Sequence, residues 1–114
     1  MQLTELTEAM HRFVEAKGWY EPTSPRPQTL RNIAISLNLE AGEVLEHFQW
    51  GEALLKRDEL AGELADVALY MFQLASLADI DLEKAILSKL EQNYQRTWDA
   101  EDLNPEPLKP ASNA

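Results

Sequence analysis

Two pairs of acidic residues could do chemistry because of their spacing. Glu40 and Glu43 are three residues apart, as are Glu63 and Asp66, and nineteen residues separate the pairs. In a helix, residues three apart project from one face, so the two carboxylates of each pair would repel one another. Burial would add a desolvation cost for each charge. A bound cation or a proton would compensate both effects. Two such pairs on adjacent antiparallel helices would converge into one four-carboxylate site. Oxygen-only ligation favours Mg²⁺, or Mn²⁺, over zinc or copper.

Two other interpretations apply to acids in this pattern. A single Glu-x-x-Glu is usually solvated helix surface, but two such motifs on two apolar helices weaken that interpretation. A ferritin-like di-iron site would require Glu-x-x-His on two helices, whereas His47 lies four residues after Glu43 and one after Glu46. That site is therefore disfavoured. The remaining nearby acids are expected to be surface residues: Glu46, Glu52, Asp58 and Glu59.

A strip of donors follows on the last predicted helix. Lys89, Asn93 and Arg96 are spaced i, i+4 and i+7, so they lie on one side of a helix. Lysine and arginine near a helix C-terminus are also favoured by the helix dipole alone. Combined with four carboxylates, however, these three residues favour a site for a metal-bridged polyphosphate, because lysine and arginine both bind phosphate oxygens.

Aromatic residues provide a surface on which a nucleobase could stack. Trp19 begins the first loop, Phe13 precedes it on the first helix, and Trp50 ends the second helix. The alternative for each is an ordinary core or interface aromatic. His11 and His47 are expected to be surface or edge histidines, because spacing defines no second partner for either.

Hydrophobic periodicity predicts helices and no convincing strand, so the chain is expected to be all-α. The tail NPEPLKPASNA has little to bury. The second and third helices are apolar nearly all round, which is typical of helices buried on both sides. A chain of 114 residues can hardly enclose both, so a homodimer or homotetramer is expected. The predicted helices run from Thr4 to about Lys17, from about Pro27 to Trp50, from about Lys56 to Ala78, and from the N-cap Asp81 toward Trp98.

Composition narrows the classes of partner. The chain has 20 acidic and 10 basic residues, a net charge of −10, which argues against a nucleic-acid backbone or an anionic membrane. No cysteine is present, which excludes a thiolate site. The N-terminus lacks a basic region followed by an apolar one, and no apolar run approaches the roughly 20 residues that span a bilayer. A cytoplasmic, soluble protein is the expectation.

Three segments together carry a family resemblance. LNLEAGEVLEHFQW, ELAGELADVALYMFQLA and AILSKLEQNYQRTW occur in that order. They resemble the all-α nucleoside triphosphate pyrophosphohydrolases of the MazG-like group, and most closely the dCTP pyrophosphatase branch. The resemblance covers about residues 3–98. It implies a four-to-five-helix bundle completed by homo-oligomerisation, a domain over residues 1–98, and an extended or disordered tail over residues 99–114.

The resemblance also implies roles for individual residues. Such enzymes cleave between the α and β phosphates with a metal-activated water and release a monophosphate and pyrophosphate. Glu43 is the suggested general base. The matching Mg²⁺ ligands are Glu40, Glu43, Glu63 and Asp66. Residues matching those that contact the phosphates or sugar are Lys89 and Asn93, with Arg96 nearby. Aromatics matching the base pocket are Trp19 and Trp50, with Phe13 facing the same region.

Three positions depart from the pattern of the group. Gln28 stands where relatives often carry a histidine, and Met10 occupies the position of the pocket histidine on the first helix. Asn38 is expected near the substrate pocket, where many relatives have a smaller or apolar residue. These departures bear on base selectivity and leave the metal chemistry untouched. Two alternatives stay open: a non-catalytic nucleotide-binding module and a purely structural oligomerising bundle.

Overall fold

The computed structural model describes residues 1–96 and confirms the all-α prediction. Within these residues there are four α-helices and no strand. The predicted boundary between residues 98 and 99, the tail beyond it and Trp98 lie outside the described residues. The helices are α1 (Leu3–Ala16), α2 (Leu30–Glu46), α3 (Arg57–Leu77) and α4 (Leu82–Gln95).

The start of α1 differs from the prediction by one or two residues. Gln2, not Thr4, is the N-cap, and its backbone N–H donates to the Glu5 carboxylate at 3.3 Å. This is half of a capping box, in which an acid at the third helical position satisfies the N–H of the cap. Thr4 was expected as the cap from its residue type, but the Gln2–Glu5 pair begins the helix two residues earlier than Thr4 could.

The end of α1 places Trp19. Gly18 adopts φ 73°, a left-handed conformation that favours glycine, as expected from its position after the helix. The Gly18 N–H donates to the Glu15 carbonyl at 2.9 Å, and the Trp19 N–H reaches back to the Val14 carbonyl at 3.2 Å. The indole is therefore attached directly to the last turn of α1.

The second helix is shorter than predicted at both ends. The Thr29 hydroxyl caps α2 by accepting the Asn32 N–H at 3.1 Å, so Pro27 lies before the helix. The Asn32 amide donates to the Pro27 carbonyl at 2.9 Å, which holds the preceding loop against the first turn. At the other end α2 stops at Glu46, and residues 47–50 form turns. Trp50 therefore follows α2 and is not its last residue.

The chain divides into two units, residues 1–83 and 84–114. In the first unit, α3 packs against both α2 and α1. Its fully buried apolar side chains are Met10, Val14, Ile33 and Ala75. Helix α4 begins at the end of the first unit and lies mostly in the second.

Within the single chain, α2 and α3 are not buried on both sides. Leu39 and Leu45 of α2 are 65 and 72 % exposed, and Leu64 of α3 is 51 % exposed. The first unit therefore covers only part of the apolar surface of its two central helices. The expected second copy stays a prediction.

Helix α3 also has the dimensions of a membrane span. It is 21 residues long and contains an 18-residue stretch with a mean hydropathy of 1.2, so it could cross a membrane by length and composition alone. One such helix is weak evidence, because the central helix of a soluble protein passes the same test. Glu63 and Asp66 lie within it.

Candidate active site

The paired acids lie on the two helices that pack together most extensively in the first unit. Glu40 and Glu43 are on α2, and Glu63 and Asp66 are on α3. Glu40 and Glu63 are partly buried, whereas Glu43 and Asp66 are exposed. The Glu40 Oε2 atom is buried, and no hydrogen-bond donor among residues 1–96 reaches it. A buried carboxylate oxygen without a donor is costly, so this atom requires an explanation.

The pKa of Glu40 reports on its neighbours. Burial raises the pKa of Glu40 above its ordinary value, and the nearby carboxylates of Glu43, Asp66 and Glu63 raise it further. Like charges disfavour ionisation of a shared site. The fold therefore brings the other three predicted ligands close enough to Glu40 for their negative charges to raise its pKa.

The four carboxylates do not form a ready-made cage. Among the described residues, no group of three or more histidine, aspartate or glutamate side chains is arranged to hold a metal ion. One reason is that the Glu63 Oε2 atom contacts the Nε2 atom of His47. Glu63 thus has a protein partner, while Glu43 and Asp66 are exposed residues.

His47 was expected to be a surface or edge histidine, and the structure gives it a partner on α3 that spacing did not define. Its side chain is only 9 % exposed and reaches from the turn after α2 to Glu63 on α3. The available signal was its position four residues after Glu43, which places the two on one side of the helix. That spacing was used only to disfavour a di-iron site.

A divalent cation fits this set of donors. The side chains offer oxygen atoms only, apart from the nitrogen of His47, and hard cations such as Mg²⁺ prefer oxygen. The donorless Glu40 oxygen and the repulsion that raises its pKa are both features that a bound cation would compensate.

An apolar cavity of about 290 Å³ adjoins one of these acids. Phe13 and Trp19 meet there edge to face, with ring centroids 5.6 Å apart. Asp66 lines the same cavity, and among residues 1–96 no other charged residue does so. The cavity is lined by Leu6, Ala9, Met10, Phe13, Val14, Trp19, Asp66, Leu69 and Tyr70. The structure thus brings two predicted aromatics and one predicted metal ligand to one space.

A second cavity, of about 340 Å³, lies on another side of Trp19. Here the Arg26 guanidinium sits 5.6 Å from the centre of the indole ring, within the range of a cation–π contact. Gln28 and Asn32 contribute amides to its lining, and Tyr70 is shared with the apolar cavity. Trp19 is therefore a common wall of two cavities of different polarity.

The loop that carries Trp19 is anchored by buried Gln73. Its amide nitrogen donates to the Gln28 Oε1 atom at 2.7 Å and to the Tyr20 hydroxyl at 3.3 Å. Gln73 is 2 % exposed, and sequence reasoning did not single it out. A glutamine within an apolar helical face was the available signal, because buried amides require partners.

His11 extends this hydrogen-bonded network. Its Nδ1 atom lies 2.5 Å from the Tyr20 hydroxyl and its Nε2 atom lies 2.7 Å from the Ser76 hydroxyl. Burial raises the pKa of Tyr20, partly offset by the hydrogen bond from Gln73. His11, expected to be a surface or edge histidine, thus joins α1 to α3 and to the loop through partners that spacing did not define.

Two predicted substrate-binding residues lie away from both cavities. Trp50 is 91 % exposed on the turn beyond α2, and Asn38 is exposed on α2. Neither lines the cavity that contains Phe13 and Trp19. In the described chain, the two predicted tryptophans therefore do not form opposite walls of one pocket.

The predicted phosphate donors lie on α4, in the second unit. Lys89 and Arg96 are exposed, and Asn93 is partly buried. The Asn93 Oδ1 atom is buried without a hydrogen-bond partner among the described residues. Their approach to the carboxylates stays a prediction.

The comparison with protein families matches residues 35–104 to the MazG-like family. The chain belongs to the MazG-like family. That match covers more than half of the chain and includes both acidic pairs and the donor strip. Membership confirms the resemblance noted from the three sequence segments.

Similar proteins support the family assignment. The chain is 31 % identical over 103 residues to dCTP pyrophosphatase 1 from Homo sapiens, covering 82 % of this chain and 58 % of that protein. It is 41 % identical over 81 residues to a dATP/dGTP diphosphohydrolase from Salmonella phage PMBT28, covering 71 % of this chain and 24 % of that one. The chain thus spans only 58 % of the mammalian relative's length.

A solved structure extends the likeness to the fold. A pyrophosphatase from Archaeoglobus fulgidus DSM 4304 superimposes with a TM-score of 0.68 at 29 % identity. The match covers 90 % of this chain and 92 % of that one. The likeness to this pyrophosphatase therefore extends from the sequence to the fold.

Proposed function

We propose that this MazG-like protein is a nucleoside triphosphate pyrophosphohydrolase that uses Mg²⁺, or Mn²⁺, to cleave between the α and β phosphates. The products are a nucleoside monophosphate and pyrophosphate. The observation that carries the proposal is the donorless Glu40 oxygen, surrounded by three more carboxylates on α2 and α3, one of which lines an apolar cavity. Relatives named as pyrophosphatases and diphosphohydrolases support the same reaction class.

Four side chains would hold the metal: Glu40, Glu43, Glu63 and Asp66. When bound, the cation supplies charge neutralisation toward the phosphates and lowers the pKa of a bound water. Glu43 is the proposed general base, because it is an exposed residue close enough to raise the pKa of Glu40, whereas Glu63 is engaged by His47. It would take the proton of the attacking water at a carboxylate oxygen.

The phosphates require donors as well as metal. Lys89, Asn93 and Arg96 are the proposed donors, binding oxygens of the β and γ phosphates or the sugar. Their role would be to orient the triphosphate and to stabilise the leaving pyrophosphate. Lysine would act as a point charge and arginine through its planar fork.

The base would enter the apolar cavity. Ligand sites usually have about 300–1,000 Å³, so a cavity of about 290 Å³ is large enough for one base and little more. Phe13 and Trp19 would contact its faces. We propose a dCTP-like pyrimidine substrate, in keeping with the mammalian relatives named dCTP pyrophosphatase 1. Clearing nucleotides from the cellular pool is the role that this reaction would serve.

A homo-oligomer would complete the fold. The exposed Leu39, Leu45 and Leu64 form apolar surface that the first unit leaves uncovered. Light scattering after size exclusion should give two or four times the 13.0 kDa of the chain. A mass of 13.0 kDa across the working concentration range would contradict this part of the proposal.

Pyrophosphate release from a panel of nucleoside triphosphates tests the reaction. Release should require Mg²⁺ and stop on adding a chelator. Glu40→Gln and Asp66→Asn should lose turnover while keeping the circular-dichroism spectrum of the wild type. Asp58→Asn is the matched control, because Asp58 is an exposed acid in the first turn of α3 and should leave turnover unchanged.

The outcomes separate enzyme from binding module. Release of pyrophosphate above the chelated control supports the proposal. Binding of nucleotides without release of pyrophosphate from any of them would instead favour a non-catalytic nucleotide-binding module. Wild-type rates in both acidic variants would remove Glu40 and Asp66 from the site.

A further inference from the structure

His47 and Glu63 form a contact that the proposed reaction does not use. The histidine lies at the C-cap of α2, and its Nε2 atom contacts one oxygen, Oε2, of the glutamate on α3. The His47 side chain is 9 % exposed and that of Glu63 is 24 % exposed. The contact is thus largely shielded and joins the two helices that carry all four acids.

From this contact we infer that His47 is a positioning residue, which fixes the orientation of the Glu63 carboxylate for the divalent cation. The inference rests on the proposed metal site. A glutamate side chain has three rotatable bonds and would otherwise lose considerable freedom on binding metal. A donor that holds Oε2 leaves Oε1 as the oxygen directed to a ligand.

The chemistry of an imidazole suits this task. An imidazole with its proton on Nε2 donates a hydrogen bond without carrying a charge, so it orients the carboxylate and leaves its negative charge available to the cation. A lysine would neutralise that charge. The lysine nearest in sequence to the turn, Lys56, pairs instead with Glu59 at 3.8 Å.

The surroundings of the pair are acidic. A cavity of about 260 Å³ beside it is lined by these charged or titratable residues: Glu43, Glu46, His47, Lys56, Glu59 and Glu63. With one lysine against four glutamates, Glu63 would be pushed away from its neighbours unless something retained it. His47 supplies the only side-chain hydrogen bond that Glu63 makes within the described residues.

Metal titration of the full chain tests the inference. Mn²⁺ serves as the probe, with its free concentration followed by electron paramagnetic resonance, and calorimetry repeats the measurement with Mg²⁺. Loss of partners that orient metal ligands typically weakens binding by about 10- to 100-fold. His47→Leu should therefore weaken Mn²⁺ binding by about that factor.

Two amide variants distinguish positioning from packing. The Gln amide extends about as far as the Nε2 atom of His47, whereas the Asn amide is one methylene shorter. His47→Gln should thus retain the wild-type affinity, and His47→Asn should show the loss. This pair keeps the inference testable even where His47→Leu does not fold.

A double-mutant cycle assigns the effect to Glu63. In a Glu63→Gln background, His47→Asn should add no further loss of Mn²⁺ affinity, because the residue it acts through has been changed. His11→Gln is the control for loss of a partly buried histidine elsewhere, and it should leave Mn²⁺ affinity unchanged.

Three results would overturn the inference. The first is an unchanged Mn²⁺ affinity in His47→Asn. The second is tighter Mn²⁺ binding in that variant, which would make His47 a competitor of the metal. The third is a loss of Mn²⁺ affinity from His47→Asn that is equally large in the Glu63→Gln background. The proposed function fails separately: a wild-type chain that binds neither ion and releases no pyrophosphate refutes the metal site itself. A wild-type chain that does both, with His47 variants unaffected, refutes only the positioning role.

Discussion

Replacing Glu40 by glutamine should have opposite effects on stability without and with metal. In the metal-free protein, no donor among residues 1–96 reaches the buried Glu40 Oε2 atom, and burial together with three nearby carboxylates raises the pKa of Glu40. An unsatisfied buried polar group costs about 1–3 kcal/mol. Glutamine keeps the shape and removes the charge, so Glu40→Gln should stabilise the metal-free fold by about 1 kcal/mol, at the lower end of that range because the amide still lacks a partner.

The effect of Glu40→Gln on the stability of the fold should change sign when Mg²⁺ is present. A ligand at 100 times its dissociation constant stabilises a fold by about 2.7 kcal/mol. The wild type should gain about this amount at saturating Mg²⁺, and Glu40→Gln should gain little because it lacks one ligand charge. For domains of this size 1 kcal/mol shifts the melting temperature by roughly 4 °C, so the two melting curves should exchange order on adding metal.

Scanning calorimetry over a range of pH completes this test. The folded-state pKa of Glu40 lies above its ordinary value of 4.5, so its ionised form destabilises the fold at neutral pH. This cost should decline as the pH falls through the raised pKa and vanish below 4.5, where the carboxyl is protonated in both states. A lower melting temperature for the metal-free Glu40→Gln variant than for the metal-free wild type at neutral pH would refute the claim that ionised Glu40 destabilises the fold.

Three further predictions concern the fold around the site. Gly18→Ala should lower the free energy of unfolding in urea by about 1 kcal/mol, because residue 18 has φ 73° and alanine is strained there. An unchanged midpoint would show that this left-handed conformation does not require glycine. Ile33→Ala should lower stability by about 2–5 kcal/mol in the same assay, since Ile33 is 2 % exposed, whereas Ile33→Val should cost only about 0.5–1.5. Gln73→Leu removes the donor to the Gln28 Oε1 atom and one of the two contacts of the Tyr20 hydroxyl, so hydrogen exchange of residues 18–29 should accelerate while that of α2 does not.

Helix existence could be predicted from the sequence because it depends on local periodicity. Helix α3 was placed within a residue at each end, since Lys56 and Ala78 flank a continuous apolar pattern. Helix α2 was predicted too long, because the apolar residues Phe48 and Trp50 extend the pattern into turns. Hydrophobicity continues past the point where the backbone hydrogen bonds stop, so periodicity alone could not locate that end.

The site was predictable only where residues act through helical spacing. The four acids were found because three-residue spacing puts each pair on one face. The contacts of His47 with Glu63 and of Gln73 with Gln28 join residues 16 and 45 positions apart. Such partners depend on how helices and loops pack, which one sequence does not specify through local spacing.

Helix α2 carries the acids Glu40 and Glu43 on one side and exposed apolar residues on another. This arrangement links the proposed metal site to the proposed homo-oligomer. Glu40 lies toward the other acids, while its neighbour Leu39 is 65 % exposed. Adjacent helical residues are about 100° apart, so a helix covered on one side by metal ligands can present apolar residues on another. Rigid packing of that second surface against another copy would restrict the motion of α2 and, with it, of Glu40 and Glu43. We therefore expect assembly and metal binding to stabilise one another, although each uses different residues.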